Sequence, residues 1–138
     1  AQVVLCAPPT LLPLDLLHGH HRVEGHPFST VEVETSVERA LEGADIVMAL
    51  RLQQERQQAG HLPSLREYSQ LYCITPRLLQ LAKPGVLVMH PGPMNEGIEI
   101  SSSIAHGGSS VIEEQVTNGV AIRMALLYLT VAGGNEES

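Results

Sequence analysis

Four short apolar segments, separated by polar stretches, mark the strands expected in this chain. The second alternates polar and apolar side chains, which predicts a strand with one face exposed to solvent. The third and fourth are apolar almost throughout, which predicts central strands buried on both faces. The four segments cover residues 3–7, 30–34, 45–50 and 86–89.

Helical signals lie between and after these strands. Thr35 or Ser36 can cap the second helix, and Thr35 with Glu38 fits a capping box. Ser64 is a candidate N-cap of a later helix, and Thr75-Pro76 places proline in a first helical turn. The predicted helices cover residues 10–17, 36–42, 64–72, 75–82 and 109–131. The resulting order, β-α-β-α-β-α-α-β-α, predicts an α/β fold: a Rossmann-like parallel sheet flanked by helices.

The length, the composition and the net charge of the chain exclude some classes of function. The 138 residues suffice for one domain or one lobe of a larger enzyme, and 43% of them are apolar. The net charge of −7 argues against a nucleic-acid surface, which needs clustered lysines and arginines. No apolar run reaches the roughly 18 residues of a membrane span. Because Ala1 opens directly into a strand-like run, we expect a trimmed or processed piece of a longer protein.

The ends of the two most apolar strands carry candidate chemistry. In parallel sheets, ligands bind at the carboxyl ends of the strands. Arg51 follows the third strand, and its planar guanidinium matches a carboxylate; Gln53 adds an amide two residues later. An arginine that caps a helix or simply reaches solvent is the alternative.

The fourth strand runs into His90-Pro91-Gly92-Pro93. Two prolines stiffen this turn and remove two backbone donors, so its carbonyls stay available to the N–H groups of a ligand. His90 could act as a base or ligand, but the favoured role is a packed side chain that orients the turn. A rigid loop without function remains the alternative for the whole segment.

Histidine and cysteine give weaker signals. His18, His20, His21 and His26 could bind zinc, but a solvated loop is the favoured interpretation because no acidic or thiolate ligand is fixed beside them. The two cysteines, far apart in sequence, are interpreted as buried or half-buried thiols of a reducing cytoplasm.

Four segments together resemble the aspartate carbamoyltransferase family. MHPGPMNEGIEI (89–100) is similar to the family's HPxPxNRxxEI segment, and ADIVMALRLQQER (44–56) to its strand followed by xxRxQxER. EQVTNGVAIRMALLYL (114–129) resembles the family's last helix, and LCAPPTLLP (5–13) the opening strand and loop of its second domain. The sister ornithine enzymes typically have cysteine where this turn has Pro91, which favours aspartate over ornithine.

The resemblance implies a function and its site residues. Residues 1–138 would be the C-terminal, aspartate-binding domain of a two-lobe transcarbamoylase, without the N-terminal carbamoyl-phosphate domain. Arg51 and Gln53 would bind aspartate, and the backbone at Pro91, Gly92 and Pro93 would bind carbamoyl phosphate. The whole enzyme would be a cytoplasmic homotrimer of the pyrimidine pathway, with no metal or organic cofactor. This lobe alone would be inactive, and no catalytic residue is assigned within it.

One departure from the pattern leaves alternatives open. Glu96 stands where the family usually has arginine, which indicates either a subgroup with different interlobe salt bridges, the favoured interpretation, or an impaired site. The impaired site motivates a degenerate, non-catalytic lobe that binds dihydroorotase or regulatory chains. An independent anion- or amino-acid-binding module is a third hypothesis. In the family the last helix packs on the other lobe, so its apolar side chains from Val116 to Val131 would here be exposed, rearranged or covered. We expect self-association or a displaced helix.

Overall fold

The computed structural model describes residues 1–20, 22–52 and 64–132. Strands and helices alternate within these ranges, as predicted for an α/β fold. A helix at 102–105 was not predicted, because its serine-rich sequence has no helical periodicity. The strands are β1 (Val3–Cys6), β2 (Val31–Glu34), β3 (Ile46–Met48) and β4 (Leu87–Met89), and the helices are α1 (Leu14–Leu17), α2 (Val37–Leu41), α3 (Leu65–Tyr72), α4 (Pro76–Leu79), α5 (Ser102–Ala105) and α6 (Ile112–Ala132).

All strand pairs in the described residues are parallel. β1 pairs with β2, and β3 pairs with β4 with Val47 opposite Val88. The far edge of β4 is occupied by residues 109–111, since Val88 N–H donates to Ser109 O at 2.8 Å and Val111 N–H donates to Val88 O at 2.9 Å. Instead of one continuous ladder, the described strands form two ribbons, and a cleft lined by β1 and β3 separates them.

The core surrounds the β3–β4 ribbon. Val88, His90 and Ile100 are completely buried. Tyr72 of α3 and Leu79 of α4 are partly buried and pack against this core. Both helices have the predicted N-caps, since Ser64 Oγ accepts from Glu67 N–H and Thr75 Oγ1 from Leu78 N–H. The core residues are Val37, Leu41, Val47, Ala49, Ile74, Val86, Val88, Ile100, Ile104, Ala105 and Ile112.

Some local expectations were wrong. The helix expected over residues 10–17 is divided into a 3-10 helix (Pro9–Leu11) and α1, because Pro13 holds the residue before it in an extended conformation. Of the two candidate N-caps of α2, Ser36 is the one used, since its hydroxyl accepts from Arg39 N–H at 3.4 Å, so the capping box expected at Thr35 was wrong. The third strand segment is buried on one face only: Val47 and Ala49 are buried, whereas Ile46, Met48 and Leu50 are each more than half exposed. An apolar run shows that neither face of a strand favours water but does not show what covers each face, and among the described residues only one face of this segment is covered.

The last helix, α6, is largely exposed. It begins at the buried Ile112. The predicted stripe from Val116 to Val131 is exposed along its whole length, and so are apolar side chains on the other sides of the helix, such as Ile122 and Leu129. Within this single chain the stripe is therefore exposed, and self-association through it stays a prediction. No helix of the described ranges is long and apolar enough to cross a membrane.

Candidate functional site

The ends of β3 and β4 lie side by side. Ala49 N–H donates to Met89 O at 3.0 Å, which continues the parallel ladder beyond the two strands. Farther along, the Asn95 side-chain amide donates to Leu52 O at 3.3 Å. The segment that carries Arg51 and the turn that follows β4 are thus hydrogen-bonded to one another at one edge of the ribbon.

Arg51 is exposed and lines the cleft between the two ribbons. This cleft has a volume of about 480 Å³. Its walls combine the edges of β1 and β3 with Tyr68 and Tyr72 of α3, and the buried Glu99 also lines it. Gln53, the second predicted aspartate ligand, lies outside the described residues.

The turn after β4 presents few donors to its surroundings. Pro91 and Pro93 are exposed and carry no N–H, and Gly92 adopts a positive φ of 67° that favours glycine. The Gly92 N–H donates inward to His90 Nδ1 at 2.9 Å. A ligand at residues 91–93 therefore meets carbonyl oxygens and proline rings, as predicted for a site that accepts N–H groups.

His90 is packed beneath this turn. Its ring is 0% exposed, and its Nε2 lies 3.3 Å from Glu99 Oε1. Its backbone N–H donates to Gln115 Oε1 of α6 at 2.9 Å. The favoured interpretation, a histidine that orients the turn, agrees with these contacts, whereas a base reaching a ligand directly does not.

Glu99 is the site residue that the sequence analysis missed. It is 3% exposed, and its Oε1 accepts from Asn95 N–H at 2.6 Å as well as facing His90. The available signal was a lone acidic residue between Ile98 and Ile100, since a charged side chain in an apolar run requires a buried partner.

Glu96, the departure from the family pattern, is paired within this chain. Its Oε1 lies 3.0 Å from His106 Nε2 at the surface. Hydrogen bonds from Ser102 and then His106 lower the pKa of Glu96. The acidic side chain therefore has local partners among the described residues.

The contacts of the described histidines and of the two cysteines do not indicate a metal site or a reactive thiol. His20 Nδ1 lies 3.7 Å from Asp15 Oδ1 at the surface, and His21 lies outside the described residues. Cys6 is half-buried; burial, with smaller contributions from Glu34 and Glu38, raises its pKa to about 11. Cys73 is buried, so both cysteines match the interpretation as structural thiols.

Comparisons with known proteins show the family of this chain. Residues 1–130 match the family model described as aspartate/ornithine carbamoyltransferase, Asp/Orn binding domain. The chain is 54% identical over 129 residues to the aspartate carbamoyltransferase catalytic subunit of Dehalococcoides mccartyi strain CBDB1, covering 94% of this chain and 38% of the relative. It is 56% identical over 128 residues to that of Nitratidesulfovibrio vulgaris strain DP4, covering 93% and 37%.

Solved structures give the same result. Aspartate transcarbamoylase from Trypanosoma cruzi, in complex with carbamoyl aspartate and phosphate, superposes with a TM-score of 0.69 at 26% identity, covering 91% of this chain and 39% of that one. A mitochondrial ornithine carbamoyltransferase from Coccidioides immitis, 17% identical, shares the fold with a TM-score of 0.69 over 99% of this chain and 42% of its own. The chain spans less than two-fifths of the length of the two curated relatives. By the match of residues 1–130, this chain belongs to the aspartate/ornithine carbamoyltransferase Asp/Orn-binding domain family.

Proposed function

We propose that this chain is the aspartate-binding lobe of an aspartate carbamoyltransferase. The complete enzyme transfers the carbamoyl group of carbamoyl phosphate to the amino group of L-aspartate, giving N-carbamoyl-L-aspartate and phosphate. Support for aspartate over ornithine comes from relatives above 50% identity that are aspartate carbamoyltransferase catalytic subunits, and from Pro91 in the turn.

One observation carries the proposal: the Arg51 segment and the proline turn meet at one edge, joined by the Ala49–Met89 and Asn95–Leu52 hydrogen bonds. In the proposed complex the Arg51 guanidinium binds an aspartate carboxylate, and Gln53 assists it. Each charge-assisted hydrogen bond contributes about 1.5–3 kcal/mol.

The turn holds the second substrate in this scheme. Backbone carbonyls of residues 91–93 accept hydrogen bonds from the amino group of carbamoyl phosphate, a contact that a donor-poor turn favours. The aspartate amine then lies against the carbamoyl carbon. Holding two reactants in this way replaces an encounter in solution by an effectively intramolecular step. The groups that stabilise the developing oxyanion and the departing phosphate belong, in the proposal, to the other lobe of the enzyme.

The assembly is part of the same proposal. The whole enzyme is a cytoplasmic homotrimer in pyrimidine biosynthesis, with dihydroorotase or regulatory chains as candidate partners. Neither a metal nor an organic cofactor takes part in the proposed reaction.

Steady-state assays of the full-length protein test the proposal. With carbamoyl phosphate present, L-aspartate should be converted to carbamoyl aspartate, and L-ornithine at the same concentration should give no citrulline. The 138-residue chain is the matched control and should form neither product. A full-length protein that prefers ornithine, or that is inactive with both amino acids, would contradict the proposal.

A further inference from the structure

We infer that the buried His90–Glu99 pair is a positioning element that holds the carbamoyl-binding turn and the Arg51 segment in a fixed relation. The inference rests on the proposed function, because it names the residues that set the geometry of that same site. Both side chains are more than nine-tenths buried, and they lie directly beneath the turn at residues 91–93.

The histidine orients the turn through one peptide group. Because Gly92 N–H donates to Nδ1 at 2.9 Å, Nδ1 carries no proton, and the ring is neutral with its proton on Nε2. The peptide between Pro91 and Gly92 is trans, so its carbonyl points opposite to its N–H. Fixing the Gly92 N–H on the buried ring therefore directs the Pro91 carbonyl away from the core.

The carboxylate connects this turn to the neighbouring strand end. Glu99 Oε1 lies 3.3 Å from His90 Nε2 and accepts from Asn95 N–H at 2.6 Å. The Asn95 side chain in turn donates to Leu52 O, one residue after Arg51. Two hydrogen bonds join Glu99 Oε1 to Gly92 through His90, and two more join it to Leu52 through Asn95. One carboxylate oxygen thus links the carbamoyl side of the site to the aspartate side.

Stability alone explains this arrangement poorly. Glu99 Oε2 is buried and has no hydrogen-bond partner in the described part of the chain. An unpaired buried polar atom costs about 1–3 kcal/mol. The geometry that the His90–Glu99 pair imposes on the turn explains the pair better than a gain in stability does.

Variants of the full-length enzyme test the inference. Glu99→Ala removes both links, so kcat/KM for carbamoyl phosphate and for aspartate should each fall by roughly ten- to one-hundred-fold. Glu99→Gln keeps an oxygen acceptor for Asn95 and His90 and should recover most of that loss. His90→Asn keeps an acceptor near the Nδ1 position and should raise the KM for carbamoyl phosphate less than His90→Gln, which keeps only the reach towards Glu99.

The surface pair His106–Glu96 supplies the matched control, since His106→Ala removes a His–Glu contact of similar length that lies outside the site. Its kinetic constants should equal those of the parent. Unchanged kinetics in folded Glu99→Ala and His90→Gln would overturn the inference, as would a Glu99→Gln enzyme no better than Glu99→Ala.

Amide hydrogen exchange at Gly92 separates this inference from the proposed function. His90→Gln should accelerate exchange of that amide by about tenfold or more, and His90→Asn should not. If the parent enzyme makes no carbamoyl aspartate but Gly92 behaves in this way, the proposed function fails and the positioning role stands. If the parent is active and Gly92 exchange is the same in both variants, the positioning role fails alone.

Discussion

Arg51 owes its location to the strand before it. The alternation of buried Val47 and Ala49 with exposed neighbours carries the chain to the edge of the core, and the next polar side chain then enters the cleft. A guanidinium at such a point offers two parallel N–H donors in one plane, which is the geometry of a carboxylate. Lysine offers the same charge without the planar fork.

Arg51→Ala in the full-length enzyme should therefore raise the KM for aspartate by roughly one hundred-fold, since two charge-assisted hydrogen bonds are lost. Arg51→Lys should give an intermediate value, because it retains the charge alone. The KM for carbamoyl phosphate should change far less. Saturation curves with each substrate measure these effects. Arg77→Ala, an exposed arginine on α4, is the control; an aspartate KM unchanged in Arg51→Ala would reject the assigned role.

The lowered pKa of Glu96 predicts a small dependence of the folding stability on pH. Its pKa in the folded chain lies below the ordinary value of 4.5, chiefly through the hydrogen bond from Ser102 and then through His106. A lowered folded-state pKa stabilises the fold above the ordinary pKa, and this contribution is lost as the pH falls through the folded value. Urea midpoints of the parent and Glu96→Gln should therefore differ at about pH 6 and converge towards about pH 3.

The control for this series is Ser102→Ala, which removes the largest cause of the shift. In the Ser102→Ala background, Glu96→Gln should change the urea midpoint less than it does in the parent. A constant difference across the whole pH range would show that the Glu96 charge contributes nothing.

At the scale of strands, turns and helices, some features of the site were predictable from the sequence and others were not. The meeting of Arg51 with the proline turn was predictable because carboxyl ends of adjacent parallel strands share an edge. The contacts of Glu99 were not predictable in this way. The turn that spans residues 91–98 brings His90 and Asn95 to Glu99, and no periodicity in the sequence predicts the conformation of that turn. The sequence left Thr35 and Ser36 open as the N-cap of α2, since both carry a suitable hydroxyl and only backbone geometry distinguishes them.

Helix α3 supplies a test at this scale. It carries Tyr68 and Tyr72 into the cleft wall, and Tyr72 Oη donates to Thr35 O at 2.9 Å. Its first turn depends on Ser64, whose hydroxyl accepts from Glu67 N–H at 3.2 Å. Ser64→Ala should lower the free energy of unfolding by about 1 kcal/mol, whereas Ser64→Asp, which keeps the acceptor and suits the helix dipole, should not. Urea denaturation followed by circular dichroism measures both; equal losses would show that capping is not the cause.

At the scale of the whole molecule, large apolar side chains are exposed on two parts of the described chain. Most of α6 from Val116 onward is exposed, and so is the outer face of β3 and β4, where Ile46, Met48, Leu50 and Leu87 are 43–62% exposed. Folded monomers rarely carry contiguous apolar patches larger than a few hundred Å². Apolar surface of this extent supports the proposed function, in which the outer faces of this lobe meet other protein in the complete enzyme.

The 138-residue chain studied alone should therefore self-associate. Sedimentation velocity should show a weight-average mass that rises with concentration in the micromolar range, because burying α6 against a second copy removes apolar side chains from water. Replacing Met124, Leu127 and Val131 by lysine interrupts the apolar surface of α6 and should shift the distribution towards monomer. Thr117→Lys adds the same kind of charge at an exposed polar position of that helix and should leave association intact. A chain that stays monomeric at every concentration would mean that α6 does not drive association.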